Sequence, residues 1–526
     1  MKNIRVLITD PLEKEGVELF KQAGFEVDEK GKLSPDMLSE IVAPYDVVIV
    51  RSGTNVTRKV IDRAENLKVI GRAGVGLDNV DLDAATHAGI IVMNAPEGNT
   101  VSAAEHTIAM MLSLARNIPE ANSSLKNGKW EKKKFMGHEL YNKTLGIVGL
   151  GRIGRRVASI AKGFGMRVVG YDTMVDNITT NIEKNITLLN LPGLFRESDF
   201  ITFHIPLNES TSHFIGEKEL DMMKDGVMII NCARGGIIDE EALYEKILEG
   251  KVKGAAIDVF EKEPPADCPL LSLPEVIVTP HLAASTKEAQ INVAQQLARQ
   301  VVEALVKKVV LNAVNLPYLD EKSLAKLNPY LELGLKIGIF IRQLSEGAFD
   351  KVTITYSGDL INYNLSLLRA NIIVGLLGNT ISINQVNASL ILKEKGIELE
   401  EVRLETEGEF TNLITVEVCN CQKISVAGTI IKGSDPRIVK IDGFEVEAVP
   451  EGYLLVCHNE DKPGIMGYIG TILGENNVNI ASMTLGRKKK GSPAITVLNL
   501  DQGIDQTVVK KIEEFPVMHS VKLVRI

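Results

Sequence analysis

The stretch TLGIVGLGRIG, residues 144–154, decides the fold of this chain. A short apolar run ends in glycines, and RRVASIAKGF, with helical spacing, follows at once. Each glycine has its own task in that turn. Gly149 permits the tight bend, Gly151 lets the backbone approach a pyrophosphate on the helix N-terminus, and Gly154 lets helix and strand pack closely. The next apolar run, RVVGYD, ends in Asp172. A carboxylate there accepts hydrogen bonds from a ribose diol and repels a 2′-phosphate. Thr173 and Met174 follow it, with no arginine to receive that phosphate, so the pattern favours NAD over NADP.

The surrounding chain repeats the same punctuation. After RVVGYD come DFITFHIP, GVMIINCARG, GAAIDVF and VIVTPH, an α/β lobe from about 140 to 283. Before it, RVLITD, DVVIVRS, LKVIGRAG and IIVMNAP read as buried parallel strands within residues 1–95. Ser34 followed by Pro35 marks a helix start between two of them. The small-residue segment 99–116 reads as one long helix connecting the lobes. Residues 285–308 are again helical and alanine-rich, with a face suited to packing back on the first lobe. The expectation is an α/β chain with two Rossmann-like or flavodoxin-like lobes and a cleft between them. Past LNAVNLP, residues 311–317, the character changes to alternating strands and helices that carry no chemical motif. From Tyr453 onward the order is βαββαβ, the ferredoxin-like arrangement.

The totals agree with an ordinary soluble protein. Of 526 residues, 45% are hydrophobic and 24% charged. A net charge of -9 argues against a general nucleic-acid binder, which needs a basic face. Five cysteines without a C-x-x-C pair suggest neither a metal site nor a disulfide framework. The N-terminus already reads as a strand, and no apolar run reaches the roughly 20 residues of a membrane helix. A reduced, cytoplasmic setting is expected.

Three polar residues follow strands of the second lobe: Arg234 in NCARGG, Glu263 in DVFEKEPP and His281 in VIVTPHLAAST. Ligands of open parallel sheets bind at the carboxyl ends of strands, so these ends converge where a nicotinamide would lie. Arginine offers a planar fork for a carboxylate. Histidine takes a hydroxyl proton and returns it in reduction. Glutamate orients the imidazole and balances its charge. Taken singly, each also fits a solvated turn or surface position.

In this order and spacing, GLGRIG, HIPL, NCARGGIIDE, DVFEKEPP and TPHLAAST resemble the D-isomer-specific 2-hydroxyacid dehydrogenases over about residues 1–315. The resemblance implies catalytic roles for Arg234, Glu263 and His281. It implies NAD contacts at Arg152, Ile153, Asp172, Ile205, Cys232, Arg234, Asp258 and His281 beside the three glycines. It also implies a discontinuous substrate-binding domain, 1–98 plus 285–315, around an NAD-binding domain, 99–284.

Within that family the chain is most similar to the phosphoglycerate dehydrogenase branch. This implies 3-phosphoglycerate as substrate, bound by Arg51, Arg72 and Gly74, with Lys132 of WEKKKF offered by a neighbouring subunit. NEDKPGIMGYIGTILGENNVNIASM resembles an ACT domain, placed at 452–526 after an intervening regulatory domain at 318–450. The branch implies serine as an effector at Asn459, Asp461 and Asn479, and a homo-oligomer, a tetramer with isologous contacts. A glyoxylate or hydroxypyruvate reductase and a non-catalytic dinucleotide sensor stay open as alternatives.

Overall fold

The structure is a computed structural model that describes residues 3–174, 186–307, 310, 312–317, 319, 321–345, 349–378, 383–405, 410–419 and 423–526. Residue 318, the expected start of the intervening domain, lies outside them. The first sheet holds β1 (Arg5–Ile8), β2 (Glu26–Glu29), β3 (Val47–Val50), β4 (Val69–Arg72) and β5 (Ile91–Asn94). All its pairs are parallel, in the order β2-β1-β3-β4-β5. The second holds β6 (Thr144–Val148), β7 (Arg167–Tyr171), β8 (Thr187–Leu188), β9 (Phe200–Phe203), β10 (Val227–Asn231), β11 (Val252–Ile257) and β12 (Val276–Val278). Its parallel order is β12-β11-β10-β9-β6-β7-β8.

Helices cover both faces of each sheet, so central strands such as β3, β6, β9 and β10 are buried at every position. The order reverses at β6, between β7 and β9, and this switch point opens the crevice into which the glycine turn points. Ser34 caps its helix as its position suggests, accepting from the Met37 N–H at 3.3 Å. The helix Thr100–Ala115 lies on the second sheet, where Ala104, Ile108 and Met111 share a core with Val157 and Ile230. The helix Lys287–Val302 returns to the first sheet, where Val293, Leu297 and Val301 pack among Val6, Ile8 and Phe20.

The third sheet comprises β13 (Lys351–Gly358), β14 (Glu398–Leu404), β15 (Asn412–Cys419), β16 (Lys423–Ile431), β17 (Asp435–Ile441) and β18 (Phe444–Ala448). Only its β13–β14 pair is parallel. The last comprises β19 (Tyr453–Glu460), β20 (Ile480–Arg487), β21 (Pro493–Leu500) and β22 (Met518–Arg525), antiparallel in the order β20-β21-β19-β22. Its helices cover Leu455, Cys457, Leu498 and Val521. Its other face, Leu454, Val456, Ile495, Val497 and Val524, packs into the core of the third sheet with Leu333, Phe340 and Ile354. Both faces are covered, which explains why YLLVCHNE lacks the alternation of a half-exposed antiparallel strand.

The C-terminal half touches the first lobe at the end of the helix Leu82–His87. Asn384 Nδ2 donates to the Gly89 carbonyl at 2.7 Å, and Asn387 Nδ2 to the His87 carbonyl at 3.1 Å. These amides satisfy acceptors that a helix end leaves open.

Candidate active site

The glycine turn has the geometry its sequence requires. Gly149 adopts φ +98°, open to glycine and costly for other residues. A Cβ at Gly154 would overlap the Gly149 carbonyl, whereas one at Gly151 would meet nothing within 4 Å. The backbone at Gly151 therefore faces open space at the N-terminus of the helix Arg152–Gly163, as a pyrophosphate needs. Asp172 directly follows β7 and accepts from the N–H groups of Leu150 at 2.7 Å and Met174 at 2.8 Å. The carboxylate is thus fixed beside the turn and retains lone pairs for a ribose diol. Ile153 and Ile205 are half-buried and pack beneath the turn and beyond β9. Arg152 Nη2 meets Glu97 Oε1 of the first lobe at 3.3 Å. These residues fit NAD.

Beyond β11, buried Asp258 organises the loop that carries the histidine. Its Oδ1 accepts from Thr279 Oγ1 at 2.6 Å and the Leu282 N–H at 2.7 Å, and its Oδ2 from the Ala283 N–H at 3.0 Å. Burial alone would raise its pKa. Hydrogen bonds from His106, Thr279 and the two amides outweigh burial and hold the carboxyl below its ordinary range. His281 turns through φ +55°, and its N–H donates to the Asp258 carbonyl at 2.9 Å. That turn brings His281 Nδ1 to 2.9 Å from Glu263 Oε2. With Nδ1–H directed at a carboxylate, the Nε2 lone pair is left as the base. Cys232, buried after β10, is held as a neutral thiol first by burial and then by the nearby Asp258. His106, Cys232 and Asp258 approach within 4.8 Å. Within that trio the Asp258 carboxylate accepts from His106, which ties the helix Thr100–Ala115 to the loop that carries His281.

Three arginines from the two lobes gather, Arg51 and Arg72 from the first and Arg234 from the second. Arg234 is held in a turn by buried Asn231, whose Nδ2 donates to the Arg234 carbonyl at 2.9 Å. Its Nη1 donates to the Ala233 carbonyl at 2.6 Å, and its Nε to Asp78 Oδ2 of the first lobe at 3.3 Å. Arg72 ends β4 with an enclosed Nε that has no hydrogen-bond partner. Burial, then the charges of Arg234 and Arg51, push its pKa down to about 10, against opposing pulls from Asp78 and Asp10. A Cβ at Gly74 would overlap Arg72 Nη1, and one at Gly76 would overlap Arg234 Nη2, so the glycines make room for both guanidinium groups. The Arg51 N–H donates to Asp10 Oδ2 at 2.7 Å, and its guanidinium to the Pro11 carbonyl at 3.3 Å. A desolvated guanidinium with an orphaned donor suits an anion.

Other residues singled out by sequence stand apart. Lys132 lies on an exposed loop after the helix Ile118–Lys126, and no described contact joins it to the arginines. Asn459 is fully buried; its Oδ1 accepts from Thr496 Oγ1 at 3.0 Å and its Nδ2 donates to the Glu460 carbonyl at 2.8 Å. Asp461 accepts from Arg487 at 2.6 Å and from the Gly491 N–H at 3.0 Å, and Asn479 donates to Asp501 at 2.6 Å. Each of the three has its own partner, and no described hydrogen bond joins them. The sequence reading gives no role to Asp78, Glu97, His106 or Asn231. The partners of Asp78, Glu97 and His106 are remote in sequence, 156, 55 and 173 residues away.

Comparison with known proteins matches three family models. The NAD-binding domain of the D-isomer specific 2-hydroxyacid dehydrogenases covers residues 108–283, the D-3-phosphoglycerate dehydrogenase intervening domain 326–442, and the ACT domain 453–517. The chain is 42% identical to the D-3-phosphoglycerate dehydrogenase of Methanocaldococcus jannaschii, over 99% of this chain and 100% of that one. It is 40% identical to that of Bacillus subtilis over 99% of each. Among solved structures, a glyoxylate reductase from Paecilomyes thermophila is 30% identical with a TM-score of 0.56, covering 60% of this chain and 99% of that one. A D-lactate dehydrogenase from Aquifex aeolicus, complexed with NAD and lactic acid, is 28% identical with a TM-score of 0.52, covering 58% of this chain and 96% of that one. With these identities running the full length of its relatives, the chain belongs to the D-3-phosphoglycerate dehydrogenase family, within the NAD-binding D-isomer specific 2-hydroxyacid dehydrogenases.

Proposed function

We propose that the protein oxidises 3-phospho-D-glycerate to 3-phosphohydroxypyruvate, the entry to serine biosynthesis. The observation that carries this reading is Arg72, largely desolvated, with an unpartnered Nε and with Arg51 and Arg234 as charged neighbours. A monoanionic 2-hydroxy acid needs one arginine; a phosphorylated one uses the rest. Arg234 holds the substrate carboxylate, while Arg51, Arg72 and the backbone at Gly74 take the phosphate, joined by Lys132 from a neighbouring subunit. NAD, when bound, accepts the hydride that leaves the carbinol carbon. His281 Nε2 takes the hydroxyl proton as the carbonyl forms, and Glu263 balances the imidazolium charge. In reduction the same proton returns to the alkoxide oxygen.

The proposal extends to the remaining expectations. The catalytic half divides at 1–98 plus 285–315 and 99–284, the intervening domain spans 318–450 and the ACT domain 452–526. The ACT domain senses serine through Asn459, Asp461 and Asn479, and the enzyme works as a cytoplasmic homotetramer. No described helix is long and apolar enough to cross a membrane. The test is NADH oxidation with 3-phosphohydroxypyruvate, hydroxypyruvate and glyoxylate, compared as kcat/KM. A many-fold preference for the phosphorylated acid is expected. Equal or reversed preference removes the phosphate assignment.

A further inference from the structure

Arg234 reaches the cleft from the second lobe, yet its Nε partner, Asp78, belongs to the first. A guanidinium has five N–H donors in a planar fork. Asp78 occupies Nε and the Ala233 carbonyl occupies one hydrogen of Nη1. What remains are both hydrogens of Nη2 and one of Nη1, and the side of the fork that includes Nε is already taken. Gly76 keeps that arrangement open, since a Cβ there would lie 2.6 Å from Asp78 Oδ2 and overlap Arg234 Nη2.

We propose that Asp78 is a positioning residue that clamps Arg234 from the opposite lobe and forces it to grip the substrate carboxylate end-on. The inference rests on the reaction assigned above. With Asp78 and its Arg234 partner 59% and 26% exposed, the ion pair adds little stability; its value is geometric. Without it, Arg234 is free to swing and to meet a carboxylate side-on through Nε and Nη2. The reacting carbon then sits askew to His281. The phosphate grip of Arg72 and Arg51 does not pass through Asp78, and removing a negative charge beside them does not weaken it.

The two substrates therefore respond differently. In full-length Asp78→Ala, kcat/KM for hydroxypyruvate, which has no phosphate anchor, should fall by about 10²-fold. For 3-phosphohydroxypyruvate the loss should be about tenfold smaller and fall on kcat, with KM little changed. Asp78→Asn keeps an acceptor oxygen for Nε and should recover part of the loss, and it carries the test if the alanine variant does not fold. NADH affinity, followed by fluorescence, should match the wild type in both. Equal losses on the two substrates would mark general damage and overturn the proposal, as would unchanged kinetics. A wild type inactive on 3-phosphohydroxypyruvate would instead overturn the reaction assignment.

Discussion

Replacing Arg72 by methionine separates stability from function at one position. In the folded protein burial and two neighbouring arginines lower its pKa from 12.5 to about 10. The unfolded chain therefore binds that proton more tightly than the folded one does. At neutral pH both states carry the charge, and the folded state bears the whole cost of burying it. The cost lessens only as pH rises above about 10. At about 1.4 kcal/mol per pKa unit the shift corresponds to ~3 kcal/mol, which partial access to solvent halves to ~1.5 kcal/mol. Arg72→Met keeps much of the stem packing and removes the charge. It should raise the melting temperature of the catalytic half by roughly 2–3 °C while KM for 3-phosphohydroxypyruvate rises by about 10²-fold. Calorimetry with and without inorganic phosphate checks both halves. Phosphate should stabilise the wild type and leave the variant unmoved. A variant that melts lower and keeps its KM would show that Arg72 is a structural ion, and the anion-site reasoning would be wrong.

The other sites give sharper single readouts. His281→Ala should cut turnover by roughly 10²–10⁴-fold while NADH fluorescence titration shows unchanged binding. Asp172→Ala should weaken NAD by about tenfold and narrow the preference over NADP, measured as the ratio of kcat/KM for the two cofactors. Asp258→Asn should turn an amide donor toward the Leu282 or Ala283 N–H, lowering stability by about 1–3 kcal/mol in urea unfolding and lowering kcat through the displaced His281. In the wild type, the contribution of Asp258 is present above the ordinary aspartate pKa and is lost as pH falls through its depressed folded value, so acid unfolding of Asp258→Asn should be less steep.

What the sequence discloses depends on how local the controlling contacts are. The glycine turn and Asp172 lie within one βαβ unit, and their spacing carries the geometry. His281 and Glu263 are 18 residues apart at adjoining strand ends, near enough for strand order to unite them. Asp78 and Arg234 are 156 residues apart, and only the closing of two lobes joins them. Asn459 fails to disclose its surroundings for another reason. In a strand covered on both faces, Leu454 and Val456 look no different from Leu455 and Cys457, so periodicity cannot say which side faces a helix. Lys132 sits among charged neighbours that give no sense of direction.

The common core of the last two sheets has a mechanical consequence. Prising Val456 or Val524 away from Phe340 and Ile354 would expose side chains worth roughly 1.5–3 kcal/mol each, far above thermal energy. The two sheets must turn together, as a stiff arm. Asn384 and Asn387 are where that arm grips the catalytic half, at the far end of a helix whose cap, Asp81, follows just after Asp78. Force applied to the last sheet would thus arrive at the cleft as torque on a short rod.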